Sequence, residues 1–309
     1  MSSVPLSRQI GTFPDSSSPR LVLFAGVHGN EPSGVVALRR VFNQLREESI
    51  VLQGAVVGVL GNIEALQRKV RYVQEDLNRL FLPSYIEQVK AIPSGHTAEA
   101  RELLELIQRV EFFEARAQEK PFFVDCHTTS SDSIPYISLN DGFDDSYRFA
   151  KDMPATAVIG VEKEIPGCLS EWLNLRGWHG FTFEAGQHDA MRSVQNQEAI
   201  IWLALLHSGC LPETHAPAQV ANARSTLRQQ GTQYNKTYRA VSSYRIREDE
   251  QFRMEPGFVN LQEVSQGQLL AHSDGAPLYA DQDGHILMPL YQKQGNFGYF
   301  MAQEVEMSL

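Results

Sequence analysis

The chain has 309 residues, 42% hydrophobic and 21% charged, which fits a globular protein with room for one large domain and a smaller one. Its formal net charge of -10 excludes nonspecific attraction to phosphate backbones, which needs clustered Lys and Arg, so nucleic acid is not an expected partner. Three cysteines without a CxxC pair (Cys126, Cys168 and Cys210) suit reduced thiols, and there is no signal-like segment and no run of about 20 apolar residues. A cytoplasmic protein without membrane attachment is expected; the charge leaves homo-oligomerisation open.

The first apolar run, Leu21 to Ala25, opens into "FAGVHGNEPSG", residues 24 to 34, where His28 and Glu31 stand among three glycines. Gly34 to Glu48 has helical spacing, and Ala55 to Leu60 reads as a second buried strand. "VRYVQEDLNRLF", residues 70 to 81, gathers Arg71, Asn78 and Arg79 without forming a clean amphipathic helix. Thr97 to Gln118 reads as a helix whose tail, "EFFEARAQEK", is solvated. Phe122 to Asp125 is a strand that runs into "CHTTSS", and Phe181 to Glu184 is another; Gln195 to His207 is a helix. Strand and helix in alternation imply a mostly parallel sheet covered on both faces. "HSGCLPETHAPAQ" has the composition of a linker. Beyond it, a helical patch precedes strand-like pieces at Thr237 to Ile246 and His285 to Tyr291, broken by "EPGF", "SDGAP" and "DQDGH". Those turn signals predict a small β region of roughly 70 to 80 residues. The expected division is a catalytic α/β domain over residues 1–210 and a β-rich domain over 211–309 that borders the site.

Three strand ends deliver polar residues to one sheet edge: His28 with Glu31, His127 and Glu184. Ligands at that edge suit the place where α/β proteins build their sites. A hydrolytic zinc ion wants three His or carboxylate ligands and a fourth position for water. His28, Glu31 and His127 supply such a set, and Glu184 remains to take the proton from water as general base. Taken singly, each residue has a plainer role: His-x-x-Glu is a common spacing, His127 could be a hydrogen-bonded core histidine, and Glu184 could close an ion pair. His96, His179, His188 and His207 have no placed partner, so they are read as ordinary histidines. Asp125 could orient His127 or bind a backbone amide. In the Arg71 to Arg79 stretch one guanidinium could clamp a carboxylate and another could stabilise an oxyanion; the alternative is a surface patch paired with Glu75 and Asp76.

The ordered motifs "GVHGNEPSG", "RYVQEDLNRLF", "DCHTT" and "FEAGQ" resemble the succinylglutamate desuccinylase and aspartoacylase family, a branch of the zinc carboxypeptidase superfamily. The resemblance implies a zinc-carboxypeptidase-like α/β fold with a mixed, mostly parallel sheet, helices on its faces and a smaller C-terminal β domain that narrows the entrance. It implies one Zn2+ per chain on His28, Glu31 and His127, Arg71 polarising the scissile carbonyl, Asn78 and Arg79 holding the substrate α-carboxylate, and Glu184 as general base. The implied activity is hydrolysis of the amide bond of a small N-acyl amino acid. Related readings are a zinc carboxypeptidase or amidase acting on a short peptide, and a noncatalytic ligand-binding homologue. Family members also set an arginine and a tyrosine against the acyl carboxylate, for which Arg176 and Tyr291 or Tyr299 are the available residues; "DCHTTSS" lacks an arginine associated with the desuccinylases proper.

Overall fold

The computed structural model describes residues 7–14, 18–92, 94–229 and 236–306. The first half builds β1 (Gln9–Phe13), β2 (Leu21–Ala25), α1 (Ser33–Glu47), β3 (Val56–Leu60), α2 (Ile63–Arg68), α3 (Pro83–Ala91), α4 (Ala98–Glu114) and β4 (Phe122–Thr129). There follow β5 (Tyr136–Leu139), α5 (Asp144–Ala150), β6 (Thr156–Ile159), α6 (Val161–Glu164), α7 (Leu169–Leu175), β7 (His179–Gln187), α8 (Met191–His207) and α9 (Pro217–Gln229). The chain ends in strands β8 (Thr237–Arg245), β9 (Phe252–Met254), β10 (Gln262–Val264), β11 (Leu269–Ser273), β12 (Ala276–Tyr279), β13 (Gly284–Leu287) and β14 (Phe297–Val305).

An eleven-stranded sheet runs in the order β1-β3-β2-β4-β7-β5-β6-β8-β14-β13-β10. Its centre, β3-β2-β4-β7, is parallel, whereas β5 pairs antiparallel with β7, so the sheet is mixed as the motifs imply. The C-terminal strands join this sheet through the parallel pair β6 and β8, and a separate three-stranded sheet, β12-β11-β9, stands beside them. One sheet therefore takes strands from both sides of the expected linker, where a 3-10 turn at Glu213–His215 leads into α9.

Alternation along the central strands sorts side chains between two layers. Leu21, Leu23 and Ala25 of β2 point into one core with the buried faces of α1 and α8, while Val22 and Phe24 point into the other with α4 and α7. Burying a side chain of this size contributes about 1.5–3 kcal/mol, so the register of β2 is fixed by both faces at once. In β4 and β7 the first face stays apolar, with Val124, Cys126, Phe181, Phe183 and Ala185. The second face changes character at its carboxyl end, where Asp125, His127, Thr182 and Glu184 replace hydrocarbon. That replacement opens the cavity described next.

The strand and helix readings of the sequence fall within a few residues of these elements, with two informative exceptions. Helix α4 ends at Glu114, short of Gln118; its tail is mostly exposed, as read, but Phe113 turns into the second core, and Glu114 accepts from Trp178 Nε1 at 2.9 Å and pairs with Arg176. The strand read at His285 to Tyr291 stops at Leu287, where Met288 takes φ +50° and turns the chain toward the cavity. "SDGAP" makes the expected turn, and the structure closes it into a hairpin, with Asp274 and Gly275 at φ +50° and +82° between paired Ser273 and Ala276.

Candidate active site and metal centre

The loop after β2 folds tightly over α2 because it has glycines where side chains would not fit. Gly26 takes φ +71°, and a Cβ on Gly29 would lie 2.1 Å from the Ala65 carbonyl carbon. The chain can thus turn immediately and set His28 and Glu31 back over the sheet edge. Strand β4 raises His127 beside them, and the rings of His28 and His127 meet edge to face with centroids 4.9 Å apart.

The three donors converge. His28 Nδ1 lies 2.9 Å from Glu31 Oε1 and His127 Nδ1 lies 3.1 Å from Glu31 Oε2, all three residues being almost fully buried. The far nitrogen of each ring faces a second carboxylate: His28 Nε2 to Asp76 Oδ1 at 3.0 Å, and His127 Nε2 to Asp125 Oδ2 at 3.1 Å. Carboxylates only accept, so each ring faces an acceptor on both sides: either both nitrogens carry protons and the histidines hold the positive charge, or a cation takes the two Nδ1 lone pairs and Glu31 while each Nε2 keeps its proton on Asp76 or Asp125. Either way, three buried carboxylates around two imidazoles call for positive charge at this point. A divalent cation meets that need, and a carboxylate behind each histidine is the usual support for a metal ligand. His28, Glu31 and His127 offer ligand atoms that all lie within 4.8 Å of one another.

Charge is balanced around this group. Burial acts to raise the Glu31 carboxyl, but His28 and His127 override it and hold it well below the ordinary carboxylate range. Burial likewise opposes ionisation of Asp76, while Arg71, His28 and Arg79 pull it well down. Arg71 places Nε and Nη2 on Asp76 Oδ2 at 3.2 and 3.0 Å, and its Nη1 lies 3.7 Å from Glu31 Oε1. The loop that bears these residues hangs on Glu99 of α4, fully buried, which accepts from the backbone N–H groups of Val73, Gln74 and Glu75 and from Asn62 Nδ2. Asp76 then caps the 3-10 turn Leu77–Arg79 by accepting from Asn78 N–H.

Glu184 stands opposite buried Tyr136 in the β5–β7 pairing and beside His127 in the β4–β7 pairing. Burial pushes its carboxyl up to about 8, with Glu31 adding to the rise and His127 and Arg71 opposing it; Oε2 has no hydrogen-bond partner among the described residues. Arg79 is the complementary case. Burial lowers its pKa, it forms no ion pair among the described residues, its Nε has no partner, and its Nη1 donates only to the Asn78 carbonyl at 2.6 Å. Asn78 spends its side-chain oxygen on Leu169 N–H. His28, Glu31, Arg71, Asn78, Arg79, His127 and Glu184 all line one cavity of about 110 Å³.

Several residues of the site escape the sequence reading. Asp76 is a partner of His28 and Arg71 rather than part of a surface patch; an Asp two residues before an Asn at a turn start is a capping signal that could have marked it. His188 is not an ordinary histidine: it lines the cavity, its Nδ1 bonds Thr128 Oγ1 at 2.8 Å and its Nε2 faces Gln292 Oε1 at 3.2 Å, with burial lowering its pKa. Asp125 takes the His127 role of its two expected alternatives. The C-terminal segment meets the cavity with Met288, Leu290, Gln292, Asn296, Phe297 and Phe300. Neither expected tyrosine is among the cavity-lining residues: Tyr291 donates its hydroxyl to the Glu255 carbonyl and Tyr299 stacks on Tyr244. Arg176 is engaged with Glu114 and the Trp172 ring, and it is not among the cavity-lining residues.

The family model of the Succinylglutamate desuccinylase/Aspartoacylase catalytic domain matches residues 17–206. A succinylglutamate desuccinylase of Pseudomonas paraeruginosa is 33% identical over 108 residues, 35% of this chain and 30% of that protein, so the chain aligns with under a third of that relative's length. The succinylglutamate desuccinylase of Pseudoalteromonas atlantica is 23% identical over 290 residues, covering 88% of this chain and 77% of that one. Among solved structures, the succinylglutamate desuccinylase/aspartoacylase of Rhodobacter sphaeroides superposes with a TM-score of 0.64 at 22% identity, over 94% of this chain and 87% of that chain, a likeness of fold.

Proposed function

The chain belongs to the succinylglutamate desuccinylase/aspartoacylase family, and from that premise we propose that it is a zinc-dependent hydrolase of the amide bond of a small N-acyl amino acid. One observation carries the reading: the cavity that holds the His28, Glu31 and His127 donors also holds a buried carboxyl, Glu184, with one oxygen that has no partner among the described residues, and a largely enclosed guanidinium, Arg79, in no direct ion pair among them. A metal-dependent hydrolase of an anionic substrate uses each of those three features: ligands for the ion, a base for the water and a cation for the substrate charge.

The donor set fits zinc, which at that position supplies Lewis-acid polarisation of a carbonyl and a lowered pKa for water. Arg79, with Asn78 beside it, takes the substrate carboxylate and fixes the scissile carbonyl near the metal centre, converting binding into orientation. Glu184 accepts a proton from the attacking water at its carboxylate and returns it to the departing nitrogen; a carboxyl raised toward neutrality suits both transfers. Arg71, held in place by Asp76, directs Nη1 toward the oxygen that gains charge as the carbonyl is attacked. Asp125 and Asp76 keep the two histidines in the tautomer that turns Nδ1 toward the metal position.

The test is free-amine release from N-acetyl, N-formyl and N-succinyl amino acids by zinc-loaded protein, with Glu184→Gln as control. Turnover that disappears in the variant while zinc stays bound is the expected result. Full-rate hydrolysis by metal-free protein would overturn the mechanism.

A further inference from the structure

We propose that the end of the cavity remote from the metal ligands is a subsite for an ammonium-bearing arm of the substrate, with the carboxylate of Glu162 as its counter-ion. The proposal rests on the deacylase reading above and specifies its substrate class.

The cavity follows the sheet away from the catalytic edge. Glu184 pairs with Tyr136 and Thr182 with Ser138, and Thr182, Ser138 and Asn140 all line the cavity. Four positions along β5 and its end carry the wall from the level of Glu184 to Asn140, roughly 13 Å at strand rise. There the wall passes to α6, where Glu162 lines the same cavity. This glutamate is 7% exposed. Its Oε1 accepts from the Asp141 backbone N–H at 3.0 Å, whereas Oε2 has no partner and the residue has no ion pair among the described residues. The neighbouring cations spend their hydrogen bonds elsewhere: Lys163 Nζ and Arg239 Nη1 both donate to Asp141 Oδ2, at 2.6 and 2.8 Å, and Lys163 acts on Glu162 only through space. A buried carboxylate left half satisfied is costly, and burial already pushes its carboxyl up, so a cationic or strongly donating group from a ligand is the natural complement.

The charge pattern of the cavity agrees. Among the described residues, Arg71 and Arg79 are the only arginines or lysines lining it; Arg71 is engaged by Asp76 and Glu31, which leaves Arg79 for a single carboxylate. A second carboxylate on the substrate would find no cation and would meet Glu162. Val161 and Ile165 flank Glu162 in the cavity wall, giving apolar contact for the methylenes of an arm whose charged tip reaches the carboxylate. The arm can belong to the amino acid or to the acyl group, and the experiment separates the two.

Zinc-loaded full-length protein is assayed for kcat/KM on N-acetyl derivatives of diaminopropionate, diaminobutyrate, ornithine and lysine with free side-chain amines. Neutral N-acetylnorvaline and N-acetylnorleucine and anionic N-acetylglutamate are the references. N-β-alanylnorleucine places the cation on the acyl side. At least one ammonium substrate is expected to exceed its neutral reference by roughly ten- to a hundred-fold, the worth of one charge-assisted hydrogen bond. Glu162→Gln should bring that ratio close to one. A wild-type ratio of one, a preference for N-acetylglutamate, or a ratio unchanged in Glu162→Gln would overturn the subsite; the wild-type ratios decide even where the variant does not fold. Hydrolysis of the neutral references without ammonium preference defeats this subsite alone, whereas no turnover of any substrate defeats the deacylase reading and the subsite with it.

Discussion

The carboxyl edge of β2, β4 and β7 and the C-terminal segment from Met288 to Phe300 face each other across one cavity, and they are built on opposite principles. On the strand edge, charges are buried and locked by other charges: Asp76 ties His28 to Arg71, and Asp125 holds His127. On the C-terminal side the contacts are amides and hydrocarbon. Gln292 Oε1 accepts from Asn30 Nδ2 at 2.8 Å and meets His188, Gln294 accepts from Arg71 N–H and donates to the Tyr72 carbonyl, and Leu290, Phe297 and Phe300 supply apolar wall. The contrast assigns reactivity to the rigid strand ends and shape to the later segment, because a charge displaced in a low-dielectric site costs far more than a neutral group displaced by the same amount.

The contrast can be broken most severely at the base. Glu184→Gln should lower kcat by a factor of about 10²–10⁴ while metal content by elemental analysis stays near that of the wild type. Next comes the support of the arginine loop: Glu99→Ala strands three backbone N–H groups, and chemical denaturation should register a loss of about 3 kcal/mol, with kcat falling as Arg71 loosens. Asp125→Asn should weaken zinc by about 10–100-fold in a chelator competition, because the His127 ring loses its charged acceptor. If the C-terminal side governs shape alone, Gln292→Ala should raise KM about tenfold or less and leave kcat within about twofold, since one neutral hydrogen bond is worth about 1 kcal/mol. A large drop in kcat there would erase the distinction between the two sides.

The smallest effect concerns Asp141, which joins α6 to β8 and whose backbone holds Glu162. Hydrogen bonds from Lys163, first, and Arg239 lower its carboxyl from the ordinary 3.8 to about 2. The sign follows from the depressed value: the stabilisation is complete above about pH 4 and fades as pH falls through about 2. Partial exposure screens it, so Asp141→Asn should cost roughly 1 kcal/mol or less at pH 7 and nothing once the wild-type carboxyl is protonated, as read from denaturation at several pH values. A deficit that persisted at pH 1.5 would assign the loss to packing.

Local patterns in the chain determined the parts that depend on neighbours in sequence. The continuous apolar runs specify buried parallel strands because both faces of a covered sheet exclude water. The glycines around His28 announce a backbone too close to other atoms for side chains, and the ordered motifs single out His28, Glu31, Arg71, Asn78, Arg79, His127 and Glu184, which line one cavity. Strands such as β5 and β6, four residues each, are too short for their periodicity to distinguish them from loops. Tertiary structure alone decided which carboxylate stands behind each histidine, that His188 meets Thr128 and Gln292, and that the expected β region continues the main sheet through β8. It also turned Tyr291, Tyr299 and Arg176 to other partners and brought Glu162 to the cavity. These are pairings across tens to hundreds of residues, and side-chain chemistry at one position does not encode the distance to a partner that only folding brings near.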